Sequence, residues 1–141
     1  MDFFPSLDKL TTIFANATAP AFFLGAVAAF ASLMTSRLSA VNNGIKELKA
    51  LAEGEADAAR RSALLLLVRR ARLLNAGIIS SLCSGIFSTL ILAVLFASQF
   101  FNLSHGLGAG LLFLIATLLL GFALFRFAQE AWLARGELEQ L

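Results

Sequence analysis

The fold is decided by residues 69–100, which read RRARLLNAGIISSLCSGIFSTLILAVLFASQF. Three arginines, Arg69, Arg70 and Arg72, run directly into the uncharged stretch from Leu73 to Phe100. A hydrocarbon core of ~30 Å needs about 20 apolar residues of helix. The stretch meets that need, and a chain of 141 residues is too small to hide it in a soluble core. It therefore predicts a helix that enters a lipid bilayer from its basic end.

The composition places the whole chain in the membrane class. Hydrophobic residues make up 59% of the chain and charged residues 14%, whereas soluble proteins average ~45–50% and ~25%. The net charge of +2 gives no reason to expect nucleic-acid binding. Because the chain has one cysteine, one histidine and no tyrosine, little is available for catalysis. We expect no enzyme activity and no cofactor.

Two long charge-free runs, Leu10–Ser36 and Leu73–Phe125, set the domain organisation, and the second is long enough for two spans joined by a tight turn. The predicted class is all-α, an integral membrane protein with three transmembrane helices, a cytoplasmic antiparallel helical hairpin and an amphipathic C-terminal helix. The chain is one membrane domain, residues 1–141. Its predicted segments are an N-terminal interfacial segment at 1–16, a first span at 17–36, the hairpin at 37–72, a second span at 73–100, an external loop at 101–106, a third span at 107–125 and a C-terminal helix at 126–141.

Two local patterns refine the first half of the chain. Pro20 is expected in the first turn of a helix, where its missing N–H has no partner to lose. The hairpin arms are expected to pack through apolar residues at helical spacing, namely Leu38, Val41, Ile45 and Leu48 on one arm and Leu64, Leu65, Val68 and Leu73 on the other.

The distribution of basic residues predicts the orientation in the membrane. The arginines at the ends of the spans act as topology anchors and can contact anionic lipid headgroups: Arg37, Arg69, Arg70, Arg72 and Arg126. The opposite side carries only Lys9. The positive-inside rule places the hairpin and C-terminus in the cytoplasm and the N-terminus outside, in the inner (plasma) membrane. For Arg60 and Arg61, we favour pairing with Glu47, Glu53 and Glu55 across the hairpin.

A stripe of small and polar residues lies along the second span. Its members recur at helical spacing and are Asn75, Gly77, Ser81, Ser84, Gly85 and Ser88. In one interpretation the stripe lines a pore in an oligomer, where hydroxyls replace part of an ion's hydration shell. In the other it packs against a helix, because small residues and hydroxyls allow close contacts in lipid.

We favour the packing interpretation of the stripe. The first span offers a matching face of small residues, Ala21, Gly25, Ala28, Ala29 and Ser32. An ion pathway usually also includes an intramembrane carboxylate, and the spans contain none. His105, in the predicted loop, is expected to be an exposed side chain, with a metal ligand repeated around an oligomer axis as the alternative. Cys83 is expected to behave as a small apolar residue.

Several short motifs lie along the chain: Ala19-Pro20-Ala21, Ser36-Arg37-Leu38, Ile45-Lys46-Glu47-Leu48, Arg69-Arg70-Ala71-Arg72-Leu73-Leu74 and Phe125-Arg126. With these motifs the chain resembles a family of small bacterial three-span membrane proteins, domain-of-unknown-function family 2721. The resemblance covers nearly the whole chain. It implies the three-span topology and no particular activity.

Two functions follow as hypotheses. The first is a non-enzymatic scaffold or accessory subunit of a membrane complex, assembled as a homo-oligomer or with another membrane subunit. The alternative is a small homo-oligomeric ion channel lined by the second span. A channel requires the face of Ser81, Ser84 and Ser88 to meet water, whereas packing buries that face against Gly25 and Ser32 of the same protomer.

Overall fold

The computed structural model of this protein describes residues 6–51, 57–101 and 106–139. Three helices make up these ranges: α1 (Leu7–Ala50), α2 (Asp57–Phe101) and α3 (Gly106–Glu139). Each helix is long and apolar enough to cross a membrane, which confirms the all-α class and three candidate spans. Glu53, Glu55 and His105 lie outside the described residues.

Helix α1 runs without interruption from Leu7 to Ala50, a length of ~66 Å at ~1.5 Å per residue. The expectation that Pro20 lies in a first turn is wrong, because Pro20 is buried in the interior of α1. The Pro20 ring leaves the carbonyl of Asn16 without its usual N–H donor. Membrane helices tolerate such a site because neighbouring helices and local adjustments compensate the freed carbonyl.

Helix α2 is the central helix and runs antiparallel to both neighbours. Gly44 of α1 lies against Leu67 of α2, and further along Val27 lies against Gly85, so the two helices run in opposite directions. Helices α1 and α3 run parallel and touch at few points. Two tilted or edge-on ring pairs form part of that contact, Phe23 with Phe113 at 5.5 Å and Phe30 with Phe127 at 5.2 Å between centroids.

The buried residues recur at intervals of seven along each helix. On α1 they include Ile13, Pro20, Val27, Met34 and Val41. On α2 they include Leu74, Ser81 and Ser88, and on α3 they are Ala116, Ala123 and Glu130. A seven-residue repeat keeps one seam of each helix facing its partner, as in coiled coils. The apolar centre of this packing is formed by Met34, Val41, Leu74 and Ala123.

Two packing expectations are wrong. The small-residue face of α1 does not meet α2, because Gly25 and Ser32 are exposed. The larger side chains of the α1 seam fill the space that glycines leave on α2, with Met34 against Gly77 and Val27 against Gly85. Likewise Leu65 is 72% exposed and does not pack across the hairpin. The face of α1 that packs on α2 is therefore the one with the seven-residue repeat of buried residues, and not the one with the smallest side chains.

Candidate functional site

Glu130 is a fully buried carboxylate at the end of the α3 seam. It follows Ala116 and Ala123 at seven-residue intervals, and its exposed fraction is 0%. Glutamates are almost never fully buried unless they are paired. The partners of Glu130 therefore determine what this region of the protein can do.

Arg70 of α2 is the first partner of Glu130. Its Nε and Nη2 atoms lie 3.0 and 2.9 Å from Oε1 of Glu130. Its Nη1 atom donates to Oε2 of Glu137, one α3 heptad further on, at 2.8 Å. The Arg70 side chain is 13% exposed. Charged hydrogen bonds of this kind are roughly twice as strong as neutral ones, and here the planar guanidinium joins two carboxylates.

Arg37 of α1 is the second partner of Glu130. Its Nη2 atom lies 3.1 Å from Oε2 and donates to Oε1 at 3.4 Å. Among the described residues, Oε2 accepts no hydrogen bond of good geometry, so its contact with Arg37 is an ion pair only. The Arg37 guanidinium also lies over the ring of Phe127, 5.1 Å from its centroid. An arginine above an aromatic face gains further electrostatic attraction.

We refer to Arg37, Arg70, Glu130 and Glu137 as the ion-pair cluster. Its two positive and two negative charges balance, and together its members come from all three helices. Removing one partner of a buried ion pair leaves an uncompensated charge and is strongly destabilising. The cluster can therefore fix the three helices relative to one another.

The ion-pair cluster lies where the uncharged runs of the three helices end. Arg37 is the first charged residue after Lys9, and no charged residue occurs from Leu73 through Phe125. The contacts of Glu130 with Arg37 and Arg70 bring these boundaries to one level. The cluster thus marks the transition from the apolar part of the bundle to its charged part.

The other predicted anchors occupy different environments. Arg69 and Arg72 are exposed on α2. Arg126 lies over the ring of Phe122, 4.8 Å from its centroid, and its Nη1 donates to Oε1 of Gln129 at 3.3 Å. Of the five anchors, only Arg37 and Arg70 belong to the ion-pair cluster.

Ser84 of the α2 stripe and its neighbour Ser80, which lies outside the stripe, bind the backbone of α3. Ser80 donates to the carbonyl of Leu119 at 2.6 Å, and Ser84 donates to that of Ala116 at 2.7 Å. The hydroxyl of Ser88 is satisfied within α2, by the carbonyl of Ser84 at 3.0 Å. The hydroxyl of Ser81 is buried and has no hydrogen-bond partner in the described residues. The structure places this part of the stripe inside the protomer.

Glycines of the stripe permit the close approach of α1 and α3. A Cβ atom at Gly77 would lie 2.8 Å from Sδ of Met34 and 3.4 Å from the carbonyl oxygen of Ala123. Gly85 is also buried, against Val27. Asn75 is exposed and does not share this seam; it lines a groove between α1 and α2. In the part of the chain that the structure describes, no three His, Cys, Asp or Glu side chains are placed to hold a metal ion.

A family model described as "Protein of unknown function (DUF2721)" matches residues 17–140. The chain belongs to the DUF2721 family. The match confirms the resemblance of the sequence motifs and spans parts of all three helices. No match was found among curated proteins or among solved structures.

The sequence motifs of this DUF2721 member did not reveal Glu130 and Glu137. The sequence predicts an amphipathic C-terminal helix at 126–141, carboxylate partners for Arg60 and Arg61 within the hairpin, and lipid contact for Arg70. The signal was nevertheless present, because Ala116, Ala123, Glu130 and Glu137 are spaced by seven residues. A heptad seam extended past the third span would have placed both carboxylates beside α2.

Proposed function

We propose that this protein is a non-enzymatic membrane scaffold, whose ion-pair cluster holds the charged ends of three helices as one rigid body. The observation that carries the proposal is the complete burial of Glu130 between Arg37 and Arg70. The polar atoms of the cluster are directed at one another, so the arrangement favours a structural role over a chemical one. A rigid body of this kind can present a fixed surface to a neighbouring membrane subunit.

Beyond the cluster, each helix continues far enough to form such a surface. Residues 38–50 of α1 and 57–69 of α2 each extend ~20 Å. Helix α3 continues beside them to Glu139. Exposed side chains on these ends include Leu65 at 72% and Trp132 at 77%. Aromatic side chains are enriched at protein–protein interfaces, so Trp132 offers a contact to a partner subunit.

The proposed orientation is multi-pass in the inner (plasma) membrane, with the N-terminus outside and the charged helix ends in the cytoplasm. The support is the excess of Lys and Arg beyond the cluster. Single cysteines introduced at Leu7 or Lys49 in a Cys83→Ser background test this orientation. A membrane-impermeant maleimide added to intact cells should label position 7 and spare position 49, and the reverse pattern would contradict the orientation.

We further propose that the scaffold is a homo-oligomer assembled through the small-residue face of α1. Ala21, Gly25, Ala28 and Ser32 are exposed in the protomer. Small residues at this spacing let the backbones of two membrane helices approach closely. The seam that packs α1 on α2 uses Val27 and Met34 instead, so the small-residue face stays available for a second copy.

The channel alternative draws no support from this arrangement. Ser81, Ser84 and Ser88 have exposed fractions of 0%. The hydroxyl of Ser84 is already bound to α3. A pore along this face would require α3 to separate from α2, which would break the hydrogen bonds of Ser80 and Ser84 to α3.

The mass of the protein in lipid nanodiscs tests the scaffold proposal. We expect the mass of the wild-type protein to exceed that of one protomer, and the mass of the Gly25→Leu variant to fall to that of one protomer. Gly121→Leu is the matched control, because neither glycine has an atom near the position of an added Cβ. A monomeric wild type, or equal effects of both substitutions, would contradict assembly through α1. Ion flux in liposomes that Ser84→Leu alters would favour the channel instead.

A further inference from the structure

A groove lies between α1 and α2 at the level of the ion-pair cluster. Its volume is about 330 Å³. Its lining combines four apolar side chains with three polar ones: Leu38, Ile45, Val68 and Ala71, with Asn42, Arg72 and Asn75. Arg72 follows Arg70 by two residues, which is about 200° around a helix. Because Arg70 faces α3, the groove opens on the side of the bundle away from α3.

The cation that lines this groove is available to a ligand. Arg72 is exposed and makes no hydrogen bond or ion pair with any residue that the structure describes. The same holds for Arg69, which lies one turn earlier on α2 and outside the groove lining. This contrasts with Arg70, whose guanidinium is occupied by Glu130 and Glu137. A free guanidinium with nearby amides suits the oxygens of a phosphate group.

An apolar track leads from the groove along α2 toward the uncharged part of the bundle. Asn75 is followed on the same helix face by Ile79, Leu82 and Ile86, at spacings of four, three and four residues. These three side chains are 53%, 56% and 60% exposed. A polar pocket that continues into an exposed apolar track matches a phospholipid, which has a charged headgroup and acyl chains.

We propose that this groove binds an anionic phospholipid. Its phosphate lies at Arg72 with the amides of Asn42 and Asn75, and one acyl chain follows Ile79, Leu82 and Ile86. Arg69, one turn before Arg72, favours a headgroup that carries a net negative charge and disfavours a choline ammonium. In the proposed orientation the groove lies at the cytoplasmic side, where basic pockets between helices suit such headgroups. The inference concerns a ligand site and is independent of the scaffold's oligomeric state.

Lipid titration of the intact protein, followed by native mass spectrometry, tests the proposal. Phosphatidylglycerol and phosphatidylcholine are the probes, and helix content by circular dichroism confirms folding of each variant. We expect wild type to prefer phosphatidylglycerol, and Arg72→Gln to bind it roughly tenfold more weakly, as loss of a charged hydrogen bond predicts. Arg61→Gln removes the same charge from another exposed position of α2 and should keep the wild-type affinity.

Three results would overturn the lipid site. The first is equal phosphatidylglycerol affinity of the Arg72→Gln and Arg61→Gln variants. The second is displacement of the lipid by soluble glycerol 3-phosphate at similar concentrations, which would identify a site for free phosphate. The third is dissociation of an oligomer by Arg72→Gln with unchanged lipid binding, which would identify a second copy of the chain as the occupant.

Discussion

Arg70 binds Glu130 through a single oxygen, with Nε and Nη2 at 3.0 and 2.9 Å from Oε1. The third nitrogen of the same guanidinium, Nη1, binds Glu137. Arg37 approaches the other oxygen of Glu130 from α1. The carboxylate is thereby held between the two antiparallel arms α1 and α2. This arrangement makes the cluster sensitive to the loss of any one member.

Neutralising Glu130 should destabilise the bundle. Glu130→Gln leaves Arg37 and Arg70 without their shared counter-charge. We expect the free energy of unfolding to fall by about 3 kcal/mol, near the lower end for a broken buried pair because Arg37 is 34% exposed. Unfolding in mixed detergent micelles measures the change.

Glu139→Gln provides the control for that substitution. Glu139 pairs with Arg135 at 3.6 Å, and both side chains are more than 70% exposed. Exposed pairs contribute little to stability, about 0–1 kcal/mol. Equal losses in the two variants would show that burial of Glu130 does not matter.

Replacing Arg70 by lysine should also weaken the cluster. A lysine ammonium keeps the charge but cannot reproduce the planar geometry that joins Glu130 and Glu137. We expect Arg70→Lys to lower the free energy of unfolding by about 1–2 kcal/mol. Arg69→Lys, at an exposed neighbouring position, should leave it unchanged. A stable Arg70→Lys variant would mean that charge alone suffices.

A large side chain at Gly77 should force the helices apart. The added Cβ would meet Met34 and the Ala123 carbonyl, and Met34 is fully buried and has little room to move. We expect Gly77→Leu to cost about 3 kcal/mol through overpacking. Gly121→Leu, which meets open space, should be neutral or stabilising. Thermal unfolding in detergent distinguishes the two, and a tolerated Gly77→Leu would contradict the packing of α1 on α2.

Loss of the Ser84 hydroxyl should have a smaller effect. Ser84→Ala removes the hydrogen bond to Ala116 of α3, which in membranes is worth about 0.6–2 kcal/mol. Thr117→Val is the control, because Thr117 is exposed and bonds only to its own helix. If the two substitutions had the same effect on unfolding in detergent, Ser84 would not join α2 to α3.

The long uncharged runs predict three helices because the thickness of the bilayer and the rise per residue together fix the length of a membrane-spanning helix. The stripe from Gly77 to Ser88 likewise stood out because lipid does not select for hydroxyls. The partner of that stripe was harder to predict. Side-chain size points to Gly25 and Ser32 of α1, whereas the glycines of the stripe meet Val27 and Met34. The hydroxyl of Ser84 binds α3 instead.

The ion-pair cluster could not be predicted from charge patterns within the hairpin alone. Arg70 lies 60 residues from Glu130 and 67 residues from Glu137 in sequence. Pairing rules based on helical spacing favour carboxylates that are close to an arginine in sequence. Only the seven-residue spacing from Ala116 and Ala123 indicates that Glu130 faces the other helices. To use that spacing, the buried repeat of α3 has to be continued beyond the apolar run that ends at Phe125.

The most direct test of the central claim is a distance distribution between spin labels on the charged helix ends. Leu65→Cys on α2 and Trp132→Cys on α3 are suitable sites in a Cys83→Ser background, because both side chains are exposed. Pulsed electron paramagnetic resonance in nanodiscs should give one narrow distribution with the cluster intact. It should broaden clearly when Glu130→Gln is added and stay narrow with Glu139→Gln. An unchanged narrow distribution in the Glu130→Gln variant would contradict the claim that the cluster holds α2 and α3 together.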